Sequence, residues 1–257
     1  MIKSIVLIGA GNVATHLGTI LQNNGYELVQ LWSRTSDSMN ILSEKLDIPG
    51  TISINEIVDD ADLYLFCIND ESLIDISKTL GEKKGIYAHT SGSVPMDVFK
   101  NIASSYGVIY PLQTFSKKLP IHDTRFPICI EGCRIEVEEE LAGIANSIFG
   151  NESVHYLNSI QRKVLHISAV ISCNFSNYLY GVSKAILDHE KVPFELLLPL
   201  IEETNKKIQK INPIDAQTGP AVRKDVRVIE EHLEYLKNFP QYRELYDLIT
   251  KKIMDSN

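Results

Sequence analysis

Apolar residues in the first part of the chain fall in short runs separated by longer stretches in which they recur every three or four positions. Ile5-Val6-Leu7-Ile8 is such a run; Gly9-Ala10-Gly11-Asn12-Val13-Ala14 follows at once, and then Val13, Leu17, Ile20 and Leu21 at helical spacing. This predicts a strand, a glycine turn and a helix. The alternation repeats. Leu28-Val29-Gln30-Leu31-Trp32 reads as a second strand, followed by a helix to about Leu46. Leu63-Tyr64-Leu65-Phe66-Cys67-Ile68 is apolar throughout, as a strand buried between two helical layers must be. Gly85-Ile86-Tyr87-Ala88, Val108-Ile109-Tyr110 and Phe126-Pro127-Ile128-Cys129-Ile130 are further strands, the last reached by a loop through Lys118, Leu119 and Pro120. A helix over residues 137–149 and a short strand over 154–157 close the pattern.

From Ser159 the period changes from 2 to 3.6. Residues 161–187 read as one helix with Val164, Leu165, Ile167, Val170, Ile171, Leu179, Val182 and Ile186 apolar over much of its circumference, which predicts that it is largely buried. Pro193 opens the next helix and Pro199 kinks it. Gly219-Pro220 starts another, with Val222, Val226, Ile229, Leu233 and Leu236 as its buried stripe, and a last one carries Tyr242, Leu245, Leu248, Ile249 and Ile253. The fold class expected is α/β: a Rossmann-like, doubly wound, mostly parallel sheet over residues 1–157, then an all-helical domain over 158–257.

Charge and composition narrow the functions. A net charge of -8 without a basic stripe speaks against nucleic acid, and no apolar stretch approaches the ~18 residues of a membrane span. Met1-Ile2-Lys3 leads directly into the first strand and leaves no room for a signal peptide, so the expected compartment is the cytoplasm. The four cysteines, Cys67, Cys129, Cys133 and Cys173, read as buried free thiols, and Cys129-x-x-x-Cys133 has no second pair to complete a zinc site; no metal is expected.

The candidate chemistry lies where predicted strands end. In the glycine turn, Gly9 permits the bend, Gly11 leaves room for a pyrophosphate, and Asn12 and Val13 begin a helix whose free N–H groups attract anions; a βα turn without ligand is the plain alternative. Ser33-Arg34-Thr35 after the second strand offers a cation and hydroxyls, where an acid would read the 2′-hydroxyl of NAD. This favours NADP(H), unless Arg34 is a solvated side chain and Ser36 only a helix cap. Ile68, Asn69 and Asp70 after the third long strand are placed to run along the cofactor, although capping explains Asp70 equally well. His89-Thr90-Ser91-Gly92-Ser93 offers Thr90 to the cofactor, Ser91 to a substrate and His89 as acid or base. Gln113, with Thr114, is a candidate for the nicotinamide pocket. On the long helix, His166, Cys173 and Asn177 lie within about 20° of one line, with Asn174 about 80° away; such a stripe faces a ligand cleft or satisfies buried backbone. Thr218 at a helix start and Arg223 one turn later suit an anionic group.

These residues together carry a resemblance. Gly-x-Gly-Asn-Val-Ala, Ser-Arg-Thr, His-Thr-Ser-Gly-Ser, Tyr-Pro-Leu-Gln-Thr-Phe, the helix with His166 and Cys-Asn-Phe-Ser-Asn, and Thr-Gly-Pro-Ala-x-Arg-x-Asp resemble a bacterial family of NADP oxidoreductases of the deazaflavin-dependent type. In that family a Rossmann-like domain is joined to a helical C-terminal domain. The N-terminal half is more distantly similar to pyrroline-5-carboxylate reductases and β-hydroxyacid dehydrogenases. The resemblance implies NADP binding and commonly a homodimer built through the helices. It does not carry over the dehydrogenases' lysine and asparagine four residues apart, since Lys163 is followed four later by Ile167. The expected activity is hydride transfer between NADPH and a small, anionic carbonyl or imine substrate. His166 or His89 would be the proton donor, Asn174 and Ser91 would orient substrate, and Arg223 with Thr218 would bind its charge. The alternatives are a non-catalytic NADP(H) sensor and a deazaflavin-dependent NADP reductase.

Overall fold

The structure is a computed structural model that describes residues 2–119 and 125–256, so Met1 and Pro120 lie outside the described residues. Strand β1 (Ser4–Ile8) shows why its sequence is apolar without interruption. Successive side chains point to opposite faces: Ile5 and Leu7 enter one buried cluster, Val6 and Ile8 another. Only a sheet covered on both sides buries both sets. β2 (Glu27–Trp32), β3 (Gly50–Thr51), β4 (Leu63–Phe66), β5 (Ile86–His89), β6 (Tyr106–Pro111), β7 (Ile128–Gly132) and β8 (Val154–Tyr156) complete it in the order β3-β2-β1-β4-β5-β6-β7-β8. Neighbours among the described strands are parallel except β6 and β7. The order reverses between β1 and β4, and a crevice opens at the carboxyl ends of strands at such a switch point.

Helices α1 (Asn12–Asn23) and α2 (Ser36–Leu46) cover one face, α3 (Asp70–Leu80) the other, and α4 (Ile135–Phe149) returns to the first. Their apolar positions fill the clusters begun by β1: Leu17 and Leu21 of α1 and Leu141 of α4 join the cluster of Leu7, and Leu73 of α3 joins that of Phe66 and Phe99. β3 is not foreshadowed by any apolar run. Gly50 and Thr51 form it only because Leu31 and Trp32 are there to pair with.

Two compact units emerge, Met1–Cys173 and Asn174–Asn257, so the division falls later than the expected one at 157. The reason is helix α5 (Ser159–Ala169), opened by a capping box between Asn158 and Gln161 and tied into the first unit by Arg162. Its faces are the reverse of the expected ones. At about 100° per residue, Arg162, Leu165 and His166 share one side, and Arg162 is 0% exposed; Ile160, Val164 and Ile167 share the other and are at least half exposed. The single helix expected over 161–187 is therefore neither buried nor uniform. A π-helical turn, Val170–Phe175, follows α5, and α6 (Ser176–His189) begins after it. Such a turn adds a residue, so faces counted from His166 do not carry through it, and Cys173, Asn174 and Asn177 are exposed. The polar stripe is thereby broken, and Cys173 is not a buried thiol.

The second unit continues with α7 (Leu198–Ile208), α8 (Val226–Tyr235) and α9 (Pro240–Asp255). Pro199 does not kink α7: it lies in the first turn, where its missing N–H costs nothing. Nor does Gly219-Pro220 start a helix. Residues 219–225 make a turn, with Asp225 N donating to the Pro220 carbonyl, and α8 begins at Val226 with Asp225 as its cap.

Candidate active site

A cleft lies at the switch point, between the turn after β1 and the residues after β2 and β4. Gly9, Gly11, Ser33, Arg34, Thr35, Ile68 and Asn69 line it, as do Trp32, Ser38, Ser72 and Lys117, which the sequence reading did not single out. Gly9 is demanded by the protein itself. Its φ is +113°, and a side chain there would meet the Cys67 carbonyl at 2.5 Å; its N–H donates to the Trp32 carbonyl at 2.7 Å, which seats the turn on β2. Gly11 is different, since a Cβ there would meet nothing nearer than the Cys67 oxygen at 3.9 Å. No side chain caps the N-terminus of α1. Open space above a glycine and uncapped helix N–H groups are what a bound phosphate uses, so these residues fit a dinucleotide.

A second cluster stands at the carboxyl ends of β5 and β6, on the edge to which the cleft also opens. Tyr110, near the end of β6, places its hydroxyl 3.0 Å from His166 Nδ1, and the rings meet edge to face. The imidazole lies so close on Gly92 that a Cβ there would come within 2.6 Å of the ring. Below it, the buried Arg162 guanidinium forms an ion pair with Glu131 of β7 and donates to the carbonyls of Ser91, at 3.2 Å, and Val94, at 2.6 Å. Glu131 also accepts from Ser159 N and Oγ. Arg162 thus fastens the loop after β5 to β7 and α5, and the sequence reading missed it because Glu131, Ser91 and Val94 are distant in the chain. Burial pushes the Tyr110 hydroxyl up to about 12, so it stays protonated at neutral pH.

Other expected site residues sit elsewhere. His89 is fully buried, its Nδ1 accepts from Ser91 N at 3.2 Å, and burial with the nearby Arg162 cation pushes its pKa down to about 3. It is held neutral away from solvent, which does not suit a proton donor. The Ser91 hydroxyl is engaged in a turn, accepting from Ser93 N and Val94 N, both at 3.0 Å. Thr90 turns inward to the Phe66 carbonyl, Gln113 accepts from Thr114 N in its own exposed loop, and exposed Asp70 lies beside the cleft without lining it. Asn12 and Val13 form the first turn of α1. Asn174, Thr218 and Arg223 belong to the second unit. There Thr218 lines an apolar pocket with Leu179, Tyr242 and Ile253, and Arg223 is exposed in the turn before α8. The Asp225 carboxylate accepts from Val228 N, so the anion-friendly helix start expected at Thr218 is occupied by an acid instead. No metal-binding cluster is found among the described residues.

Two outcomes are expected. Arg162→Met leaves Glu131, whose side chain is 12% exposed, without its cation, which lowers the unfolding free energy in urea by about 3 kcal/mol; unchanged stability contradicts the role given to the pair. His89 is neutral when folded down to about pH 3, whereas an unfolded histidine binds a proton below about pH 6.5. Its contribution is therefore present above about pH 6.5 and lost as pH falls toward 3, at up to about 1.4 kcal/mol per pH unit. His89→Gln should flatten the stability profile between those limits, measured by denaturant unfolding, and an equal slope in both proteins contradicts it.

Comparison with known proteins agrees with this geometry. Residues 4–86 match the family described as NADP oxidoreductase, coenzyme F420-dependent, and residues 126–253 match a domain family of unknown function. A provisionally named NADP oxidoreductase of Bacteroides fragilis is 37% identical, covers 99% of this chain and 98% of its own, and superposes with a TM-score of 0.93. Two more distant structures share the fold. They are 1-pyrroline-5-carboxylate reductase of Streptococcus pyogenes (16% identity, 98% of each chain, TM-score 0.65) and an imine reductase of Myxococcus stipitatus in complex with NADP+ (14%, 98% and 93%, TM-score 0.64). Among curated proteins, glycerol-3-phosphate dehydrogenase [NAD(P)+] of Staphylococcus epidermidis is 23% identical over 117 residues, 39% of this chain, and the match spans about a third (35%) of that protein. The cleft at the switch point and the full-length match to the Bacteroides protein agree: the chain belongs to the NADP oxidoreductase family.

Proposed function

We propose that this protein reduces a small carbonyl or imine compound with NADPH, His166 delivering the proton. The observation that carries the reading is the Tyr110–His166 pair on Gly92, at the same sheet edge as the dinucleotide cleft. Gly11 and the first N–H groups of α1 would hold the pyrophosphate, and Ser33, Arg34 and Thr35 the 2′-phosphate, for which a guanidinium fork is suited. Bound NADPH supplies hydride. The Tyr110 hydroxyl engages His166 Nδ1, which leaves Nε2 as the ring nitrogen free to meet a substrate. The proton passes from Nε2–H of an imidazolium, whose Nδ1–H the Tyr110 oxygen accepts, to the oxygen or nitrogen that receives charge, and a neutral imidazole is left. Tyr110 acts as a positioning residue through this hydrogen bond. The pyrroline-5-carboxylate and imine reductases that share the fold support the choice of substrate class. The buried free thiols Cys67 and Cys129 suit a reducing cytoplasm.

His166→Ala should lower kcat about 100-fold or more in an NADPH oxidation assay against cyclic imines and oxo acids. Tyr110→Phe should cost less and change the pH profile, since His166 Nδ1 loses its partner. Full activity in His166→Ala removes it from the mechanism.

A homodimer is the assembly we infer. Ile160, Val164 and Ile167 form an apolar face on α5 that is 77%, 58% and 50% exposed. The second unit buries little of its own, chiefly Ala221, Ile229, Leu236 and Thr250, while Leu196, Leu198 and Leu200 remain at least half exposed. Apolar surface on this scale marks an interface, and a helical unit with so small a core gains stability from a second copy. Val164→Glu with Ile167→Glu should shift sedimentation from dimer to monomer; a monomeric wild-type protein overturns the inference.

A further inference from the structure

The residues after β6 run back across the glycine turn, and nothing in the reading above uses them. The Ser116 carbonyl accepts from His16 Nε2 at 2.9 Å, and the Phe115 ring stacks on His16 with centroids 5.2 Å apart. Lys117 N donates to Asn12 Oδ1 at 3.2 Å, and Lys117 Nζ donates to the Ala10 carbonyl at 2.6 Å. Backbone, ring and ammonium are thus all fixed to the turn and to α1, which places a cation between Gly9 and Gly11, at the mouth of the cleft it lines. We propose that Lys117 is a ligand of the dinucleotide pyrophosphate, strapped over the glycine turn to neutralise it. This rests on the NADP(H) reading.

Charge makes the case. The N-terminus of α1 contributes only about half an elementary charge, whereas each phosphate of a pyrophosphate diester is negative. The chain as a whole carries a net charge of -8, so its long-range field opposes an anionic ligand. Among the described residues lining the cleft, Arg34 and Lys117 are the charged ones. Arg34 follows β2, where the 2′-phosphate is read; Lys117 lies on Ala10, inside the turn itself. An ammonium has three donors. One is held by the Ala10 carbonyl, which orients the group and leaves two for phosphate oxygens.

Location separates the two cations experimentally, because NADP+ and NAD+ share the pyrophosphate and differ in the 2′-phosphate. Trp32 is the single tryptophan and lines the cleft, so its fluorescence reports binding without turnover. Lys117→Met should weaken NADP+ and NAD+ alike, about 10-fold each, and reduce the dependence of both affinities on salt. Lys117→Arg should retain most of the affinity, and Arg34→Ala should weaken NADP+ while sparing NAD+. The proposal is overturned if Lys117→Met binds both as the wild type does, or if it loses NADP+ alone, which would move the lysine to the 2′-phosphate. If the folded wild type binds neither dinucleotide, the cofactor reading falls and the lysine's role with it; if the wild type binds and Lys117→Met binds equally, only the lysine's role falls.

Discussion

A guanidinium taken entirely out of water is tolerable only if nearly every donor finds an acceptor, and Arg162 meets that condition through Glu131, Ser91, Val94 and Ser159. The consequence is geometric. Three segments, the loop after β5, the end of β7 and the first turn of α5, meet at this one side chain, and Ser159 adds direct bonds to Glu131 and Met96. His166 is one helical turn further along α5, so the same constraint sets the imidazole on Gly92 and within reach of Tyr110. Shape around His166 follows from a polar node; apolar packing supplies the sheet on which it stands.

That division also explains what could be read in the sequence. The turn after β1, the ends of β2 and β4, and the small residues after β5 were legible because each is local: a run of apolar residues stops and the next few residues must be the strand's carboxyl end. Gly9 and Arg34 are found by counting from a strand. Arg162 and Lys117 are not, since Glu131, Val94 and Ser91 stand 31 to 71 residues from the one and Asn12 and Ala10 105 to 107 from the other. One local signal was available and unused: Asn158-x-x-Gln161 is a capping box and marks where α5 begins. The π turn left no trace in the apolar period, and with it the alignment of His166 with Cys173 and Asn177 was lost.

The orientation of α5 is the instructive error. Periodicity identifies two faces of a helix, and the habit of turning the apolar one inward assigns them. On α5 the polar face is turned inward because Arg162 has Glu131 to meet, which leaves Val164 and Ile167 facing out. A helix pattern therefore fixes which residues share a face, and the partners available across the fold fix which face is buried. The glycines divide in the same way. Gly9 answers to the chain's own backbone, whereas the space at Gly11 answers to nothing in the protein.

The reversal of β7 has a consequence for how the cofactor edge can change over evolution. A parallel neighbour of β6 would require the chain to cross to the opposite end of the sheet, normally through a packed helix. An antiparallel one lets the chain leave and re-enter by the same edge. A connection of that kind bears no crossover helix, and doubling its length costs only about 0.6 kcal/mol in closure entropy. The edge that holds the glycine turn is thus supplied with a segment that can lengthen while both layers of helices stay packed, provided that Phe115, Ser116 and Lys117 keep their contacts with α1 and the turn.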